Sequence, residues 1–466
     1  VDQWRADCLG LAGHPTVETP HLDRLFADGV RFDNAYAAVP SCIASRASLM
    51  TGLRPVSHGR TGYRDGVRWN YGTTLPGLLG AAGYQTQAVG KMHVSPARNR
   101  IGFDNVVLHD GYLHAERRGS GTLDRVDDYL PWLRREHGPA ADYIDTGIGC
   151  NGYVVRPWMY SDALHPSAWV TTQAVDFLRR RDPCAPFFLY VSYHRPHPPL
   201  DPPRDYFDMY AVKDLPDPRS GDWQDRLPGA GAGLDSPRPT DPHQIDRARR
   251  AYCAQCTFID HQINRLTHAL FAHDCLDDTL FLFLGDHGDL LYDFGLTAKG
   301  LPYEGSAGVP FLLRFPRAWE APATGTVRAP VEMRDVLPTL CRAAGVEVPA
   351  SVEGRSVLPL CRGQAPEWRP YIHGEHALGA RSNHWLTDGH RKYCWFSRGG
   401  LEQVFDLDED PCEQHNLAAE RPEETAAWRE RLVRELENRE EGYVSGGALV
   451  AGKPATPVQS RLREQS

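Results

Sequence analysis

Lysine is nearly absent from this chain. Five occur among 51 basic residues, Lys91, Lys213, Lys299, Lys392 and Lys453, so there is no lysine-rich segment to grip nucleic acid or an acidic membrane surface. The formal charge of −9 agrees, since a nucleic-acid surface needs an excess of positive charge. Also missing is any run of about twenty apolar residues, which excludes a membrane-spanning helix. Eleven cysteines are present, but their odd number and irregular spacing across 466 residues exclude a disulfide framework. Cys253 and Cys256 form a C-x-x-C pair inside a helical pattern with no second pair downstream, so neither zinc nor thiol redox chemistry is expected there. No internal repeat is visible. The scarcity of lysine has a second meaning: where an arginine-rich chain keeps one, a compact point charge is a reason to keep it.

What is present alternates between two periods. Thr19-Pro20 opens an amphipathic helix with Leu22, Leu25 and Phe26 on one face, and Leu75–Ala82 repeats the theme up to Gly83. "YQTQAVGKMH" reads as a strand, Val170–Arg181 as a helix, and "FFLYVSY" as a buried strand. A long helix is predicted over His243–Ala272, with Ile245, Cys256, Ile259, Ile263, Leu266 and Leu270 in its stripe. "TLFLFLGDHGD" and "VPFLLRF" are further strands, and Arg334–Ala344 a helix. Such alternation predicts an α/β fold, a large mixed, mostly parallel sheet sandwiched by helices. Past Pro366 the pattern changes to short strands, "YIHGEH", "NHWLTD", "RKYCWF" and "QVFDLD", followed by a charged helix over Glu423–Glu437. The expected organisation is a catalytic α/β domain over 1–365, a smaller C-terminal α+β domain over 366–441, and a loosely patterned arm or disordered tail over 442–466. Val1-Asp2-Gln3 reads like the tail of an apolar strand, so the sequence is expected to begin inside the protein. Any leader peptide would then be out of view. The compartment stays open, with the cytoplasm placed slightly ahead of the periplasm or secretion.

Four predicted strands end in reactive residues: Asp2-Gln3, Gly90-Lys91-Met92-His93, His194-Arg195-Pro196-His197-Pro198 and Gly285-Asp286-His287-Gly288-Asp289. Ligands of open α/β sheets bind beyond the carboxyl ends of the strands, so the four clusters should face one pocket. Any one of these side chains alone is as readily an ordinary surface or turn residue; their joint placement carries the argument. Asp2, Asp286 and His287 offer two carboxylates and an imidazole to one divalent cation. Lys91, His93, His197 and Lys299 would surround that cation with donors, which suits an oxyanion. Elsewhere "VPSCIASRASLMTG" places Cys42 just before a predicted helix starting near Ser45, whose N-terminal dipole favours a developing alkoxide. The residues alone leave Cys42 open as space-filler, thiol nucleophile or precursor of another group.

Cys42-Ile43-Ala44-Ser45-Arg46, with Leu49 and Thr51-Gly52-Leu53-Arg54, resembles the signature of the type I sulfatases of the alkaline phosphatase superfamily. The resemblance extends through "VDQWRADCLG", "TPHLDRL", "GKMH", "RPHPPLDPP", "LGDHGD", "KGLPYEGSAGVPFLLRFP", "LTDGHRKYCWF" and "EQVFDLDEDP". It implies an alkaline phosphatase-like fold and a metal-dependent sulfatase that cleaves a sulfate monoester to alcohol and sulfate. Cys42 would be oxidised to Cα-formylglycine, whose hydrate attacks sulfur with one hydroxyl and expels sulfate by deprotonation of the other. The resemblance further implies that Asp2, Asp286, His287 and the modified Cys42 hold one divalent metal. Gln3 stands where many sulfatases have a second Asp, and His287 where many have Asn. The Asp-Gln and Asp-His pairs are closer to phosphonate monoester hydrolases and choline sulfatase-like enzymes. Calcium is the first expectation for the ion, with manganese or magnesium as alternatives. Arg46 would orient the diol, Lys91 and Lys299 would grip sulfate, His93 would assist the second proton transfer and His197 the leaving oxygen. His194 is expected to be a loop residue without a role. Glu375, His376 and His384 of "HGEH" and "RSNHW" are candidate contacts to the alcohol portion, with ordinary edge-strand residues as the equal alternative. Ala44 departs from the commoner proline, which implies a maturation enzyme tolerant of alanine. The expected partners are a small-molecule or carbohydrate sulfate ester and that maturation enzyme, and a homo-oligomer is admitted. Two alternatives remain open: a phosphonate monoester hydrolase or phosphodiesterase with the same nucleophile, and a catalytically silent anion-binding relative with Cys42 unmodified.

Overall fold

The computed structural model describes residues 1–111, 126–229, 239–319, 325–364 and 367–463; the expected boundary between 365 and 366 lies outside them. Seven strands build the catalytic sheet: β1 (Val30–Phe32), β2 (Gln85–Gly90), β3 (Asn105–Leu108), β4 (Phe187–Ser192), β5 (Phe281–Leu284), β6 (Phe311–Arg314) and β7 (Gly325–Val327). β3, β2 and β4 pair in parallel, and β5, β6, β1 and β7 follow one another on the other side. Residues 1–2 join the two halves. The Val1 amino group donates to Leu284 O at 2.8 Å, Asp286 N to Val1 O at 3.2 Å and Asp2 N to Tyr193 O at 3.0 Å. That alternation of donors is the slanted bonding of parallel strands. Only β6 runs against its neighbours, so the sheet is mixed and mostly parallel as expected.

The carboxyl ends of β2, β4, β5 and the Val1–Asp2 segment therefore point one way, toward Lys91, His197, Asp286 and Asp2. The apolar strand "FFLYVS", expected to be buried, is half-buried over Phe187–Val191.

Helix α1 (Pro20–Leu25), α2 (Cys42–Thr51), α3 (Leu75–Ala81), α4 (Pro166–Arg180), α5 (Pro242–Ala272) and α6 (Val336–Ala343) cover the sheet. α2 begins at Cys42, three residues earlier than predicted, because Ser41 is already extended (φ −158°) and accepts from Ser45 N at 2.9 Å. Its ten residues are all buried, and it stops at Gly52, φ +68°, where the amide closes on Ser48 O. A buried helix must be apolar or small all round; its one charge, Arg46, is paired with Asp286. α5 starts at Pro242 beneath the Asp241 side chain, which caps His243 N. Cys253 and Cys256 are buried in its packed face, and both thiols are pushed up by burial, as a structural pair should be.

The C-terminal strands β8 (Ile372–His376), β9 (Asn383–Thr387), β10 (Arg391–Phe396) and β11 (Leu401–Asp406) form an antiparallel meander. Alternation sends Trp385, Cys394 and Phe396 against Tyr36, Trp223 and Tyr303, while Leu386, Tyr393 and Trp395 meet Trp428, Leu432 and Leu436 of α7 (Pro422–Leu436). The edge strand β8 is tied to the active-site loops: Glu375 N donates to Ala38 O and Ala377 N to Thr61 O, both at 2.8 Å. Buried Lys392 bonds Pro302 O, Glu304 and Glu413 within 2.6–2.9 Å, clamping the loop that carries Lys299. Residues 442–463 of the last stretch pack as an arm on the catalytic domain, and 464–466 lie outside the described residues. Thr61 N donates to Pro457 O, Gln459 N to Gly59 O, and Val458 and Leu462 are buried there. Among the described residues no helix is long and apolar enough to cross a membrane.

Candidate active site

Cys42 lies at the bottom of the crevice where the strand ends converge. Its Sγ is 3.1 Å from His287 Nε2, 3.6 Å from Asp2 Oδ1 and 3.8 Å from Lys91 Nζ. Asp2, Cys42, Asp286 and His287 are all buried and can offer ligand atoms within 4.8 Å of one another. The ring of His287 is oriented for ligation. Its Nδ1 donates to Gly288 O at 2.8 Å, which leaves the Nε2 lone pair facing Cys42 and Asp2. Burial lowers the His287 ring to about 4, so it is neutral and ready to coordinate.

Both carboxylates are ionised. Burial raises Asp2, but Lys91, His287 and Arg46 outweigh it and hold the group far below its usual range. Burial and Asp2 together raise Asp286, and Arg46, His287 and Lys91 bring it back below. Two buried carboxylates side by side are costly without compensating positive charge, and here Lys91 bonds Asp2 directly while Arg46 Nε meets Asp286 Oδ2 at 2.9 Å. The set of two carboxylates, one imidazole and the position-42 side chain fits one divalent cation.

Arg46 is held by four fixed partners: besides Asp286, its Nη1 reaches Lys91 O, Tyr190 Oη and Ser192 Oγ at 2.8–2.9 Å. It therefore locks α2 to the ends of β2 and β4. Lys91 is completely buried, and the Asp2 carboxylate overrides the effect of burial to hold its ammonium above the ordinary value. His93 sits at φ +55°, an outlier for a non-glycine residue. Asp110 Oδ1 holds it there, accepting from Met92 N at 2.5 Å and His93 N at 3.0 Å. Burial lowers the His93 ring, opposed by its hydrogen bond to Cys42. His197 donates from Nδ1 to Pro198 O at 2.7 Å, so the neutral ring presents Nε2 as an acceptor; burial, then Lys299 and Lys91, hold it well below its usual value. His194, expected to idle in a loop, is buried 4.9 Å from the His197 ring and accepts from Arg195.

Gln3, named as a possible further metal ligand, adjoins the cluster, its backbone N donating to Asp286 Oδ1 at 3.0 Å. Its Oε1 accepts from Lys299 Nζ at 2.7 Å, and its Nε2 donates to Asp289 Oδ2 at 2.6 Å. Asp289 Oδ2 also takes Tyr153 Oη at 2.6 Å, and Oδ1 takes Leu291 N and Ala298 N. A chain of hydrogen bonds thus runs Asp289–Gln3–Lys299. Next to Lys299, Gly300 adopts φ +96°, and a Cβ there would press on Leu378 and approach the His376 ring. Of the three candidate alcohol contacts, only His376 reaches this rim. Glu375 is buried in a bidentate pair with Arg439 at 2.7–2.8 Å, and His384 is packed among His373, Trp395 and Tyr443.

Asp289, Tyr153, Asp110, Tyr190 and Ser192 carry the site's geometry without having been assigned any role from sequence. A signal existed for two of them: Tyr190 and Ser192 are polar residues two apart in an apolar strand, hence on one face of it. Tyr153 and Asp110 had none, since their meaning lies in contacts 145 and 17 residues away.

Comparison with known proteins bears on this geometry. Residues 1–346 match the sulfatase family, and residues 292–441 match the C-terminal region of N-sulphoglucosamine sulphohydrolase. An arylsulfatase of Clostridium perfringens is 48% identical over 469 residues, covering 98% of each chain. A choline-sulfatase of Rhizobium meliloti is 30% identical over 90% of this chain and 81% of its own. In fold, the phosphonate monoester hydrolase of Agrobacterium radiobacter superposes with a TM-score of 0.78 at 24% identity, over 97% of this chain and 98% of the other. The chain belongs to the sulfatase family and is a sulfuric ester hydrolase.

Proposed function

We propose that this enzyme hydrolyses a monoanionic sulfate ester, aryl in the first instance, through a formylglycine made from Cys42. The observation that carries the reading is the convergence of His287, Asp2 and Lys91 on one buried side chain at the start of α2. Oxidised and hydrated, that side chain supplies a geminal diol, one hydroxyl as nucleophile toward sulfur and the other as the group whose deprotonation frees sulfate. Asp2, Asp286 and His287 would hold the cation with it, and the cation would supply positive charge for the nucleophile and a sulfate oxygen. Calcium is our first choice on the two carboxylates, manganese the second on the imidazole.

The chain's own residues do the rest. Arg46, immobile on four partners, fixes the depth and direction of position 42. Lys91, bonded to Asp2, and Lys299, bonded to Gln3, bind sulfate oxygens. His93, held over position 42 by Asp110, takes the proton whose removal releases sulfate. His197 enters neutral; the charge of bound sulfate offsets its burial, and its Nε2 then carries the proton that the leaving oxygen needs. His376 at the rim and Tyr63, whose half-exposed ring lies 5.9 Å from His93, flank the alcohol portion. Glu375 and His384 support the sheet behind it. The maturation enzyme must accept Ala44.

The test is sulfate release by matured enzyme from aryl, choline and sugar sulfates, with an aryl phosphonate monoester alongside. Preferential turnover of aryl sulfate supports the reading; faster turnover of the phosphonate transfers the chain to the hydrolases it resembles in fold. Tyr63→Ala should raise KM for the aryl ester and leave kcat within a few-fold.

A further inference from the structure

A second group of metal-ligating side chains lies outside the crevice and takes no part in the reaction. His21 opens α1, and Asp260 and His261 are adjacent on α5. Each of the three can offer a ligand atom within 4.8 Å of the others. The rings of His21 and His261 stand edge to face, 4.9 Å apart at 75°.

We propose that His21, Asp260 and His261 form a second metal site, for a borderline first-row divalent cation such as Zn²⁺, that fastens α1 to α5. Donor chemistry selects the ion: two imidazoles and one carboxylate suit zinc and its neighbours, whereas calcium and magnesium want oxygen throughout. Outer partners are in place. Tyr206 Oη lies 2.8 Å from His261 Nδ1, which can fix the tautomer that leaves Nε2 for the ion. Asp260 is anchored by backbone amides of α1, Leu22 N at 2.7 Å and His21 N at 3.2 Å, and each oxygen keeps a lone pair for a cation. Burial lowers both imidazoles, so they are neutral. It raises Asp260 to about 7, so an ion binding there displaces a proton. The neighbouring titratable groups are Glu18, Asp23, Arg24 and His268. One of them opposes binding: exposed Arg24 donates to His21 Nδ1 at 2.9 Å and must swing away.

The experiment is equilibrium dialysis of full-length protein, saturated with Ca²⁺, against micromolar Zn²⁺, comparing native enzyme with His21→Ala, His261→Ala and Arg24→Ala. Zinc that enters the catalytic centre appears equally in all four and cancels in the differences. Native protein should hold one equivalent more than either histidine variant, whose affinity should fall at least about ten-fold, and Arg24→Ala should bind more tightly. Zinc should also raise the unfolding midpoint of native protein and not of the His21→Ala, His261→Ala double variant. Equal zinc content in native and histidine variants overturns the site, as does an Arg24→Ala protein that binds zinc more weakly. Aryl sulfate turnover should be unchanged in all variants.

Discussion

Replacing Asp289 with asparagine puts the hydrogen-bonded chain to Lys299 under direct test. The carboxylate accepts four hydrogen bonds, from Gln3 Nε2, Tyr153 Oη, Leu291 N and Ala298 N. The two backbone bonds can persist on the asparagine carbonyl. The new amide then turns its NH₂ toward Gln3 Nε2, donor against donor at a separation that is now 2.6 Å. Gln3 relieves this by rotating its own amide, which presents NH₂ instead of Oε1 to the Lys299 ammonium. Lys299 loses the acceptor that holds it at 2.7 Å. A hydrogen bond to a charged group is worth about 1.5–3 kcal/mol, and at about 1.4 kcal/mol per decade this is roughly a ten- to hundred-fold loss in kcat/KM. The assay is steady-state turnover of an aryl sulfate for Asp289→Asn, Lys299→Ala and the double variant. If Asp289 acts through Lys299, the double variant should be no worse than Lys299→Ala alone. Additive losses, or an Asp289→Asn enzyme within two-fold of native, would refute the reasoning.

Other expectations follow from the same contacts. Arg439→Met leaves Glu375 buried without its partner and should cost about 3–5 kcal/mol in denaturant unfolding, with kcat/KM of the folded fraction little changed; a loss of kcat/KM at unchanged stability would instead make Glu375 a substrate contact. His287 is held near 4 in the folded chain by burial against about 6.5 unfolded, so its contribution to stability is complete above the unfolded value and lost as pH falls toward about 4. Metal-free protein should accordingly lose unfolding free energy as pH falls from about 6.5 toward about 4, less so with His287→Asn, and equal pH slopes for the two proteins would count against a buried, neutral His287. Chelation should lower the unfolding midpoint and abolish turnover together, with both restored by Ca²⁺ or Mn²⁺; an unfolding curve blind to chelator contradicts the cluster as a metal centre.

The elements of this fold were legible where period and chain direction agree. The 3.6 period of α5 and the strands ending in "GKMH" and "LGDHGD" placed Lys91, Asp286 and His287 at one crevice, because parallel strands deliver their carboxyl ends to one side. The start of α2 was less legible: Ser41, already extended, moves it three residues ahead of the predicted Ser45. The C-terminal candidates show another limit. "HGEH" alternates correctly, but only the partner Arg439, 64 residues on, reveals that Glu375 is an internal ion pair while His376 reaches the rim. Gln3 was read as a metal-ligand position by register; its bond to Lys299 depends on Asp289 and Tyr153, contributed by loops far apart in the chain. The lysines were the clearest signal. Lys392 meets three converging oxygens, Lys91 is bonded to Asp2 and Lys299 to Gln3, whereas Lys213 pairs with exposed Glu18.

The most direct measurement is peptide mass spectrometry across residue 42 in protein that is turning over substrate. The account predicts a fragment in which one sulfur and two hydrogens have been exchanged for one oxygen, its fraction tracking specific activity between preparations. Full activity in protein whose Cys42 is wholly an intact thiol contradicts it.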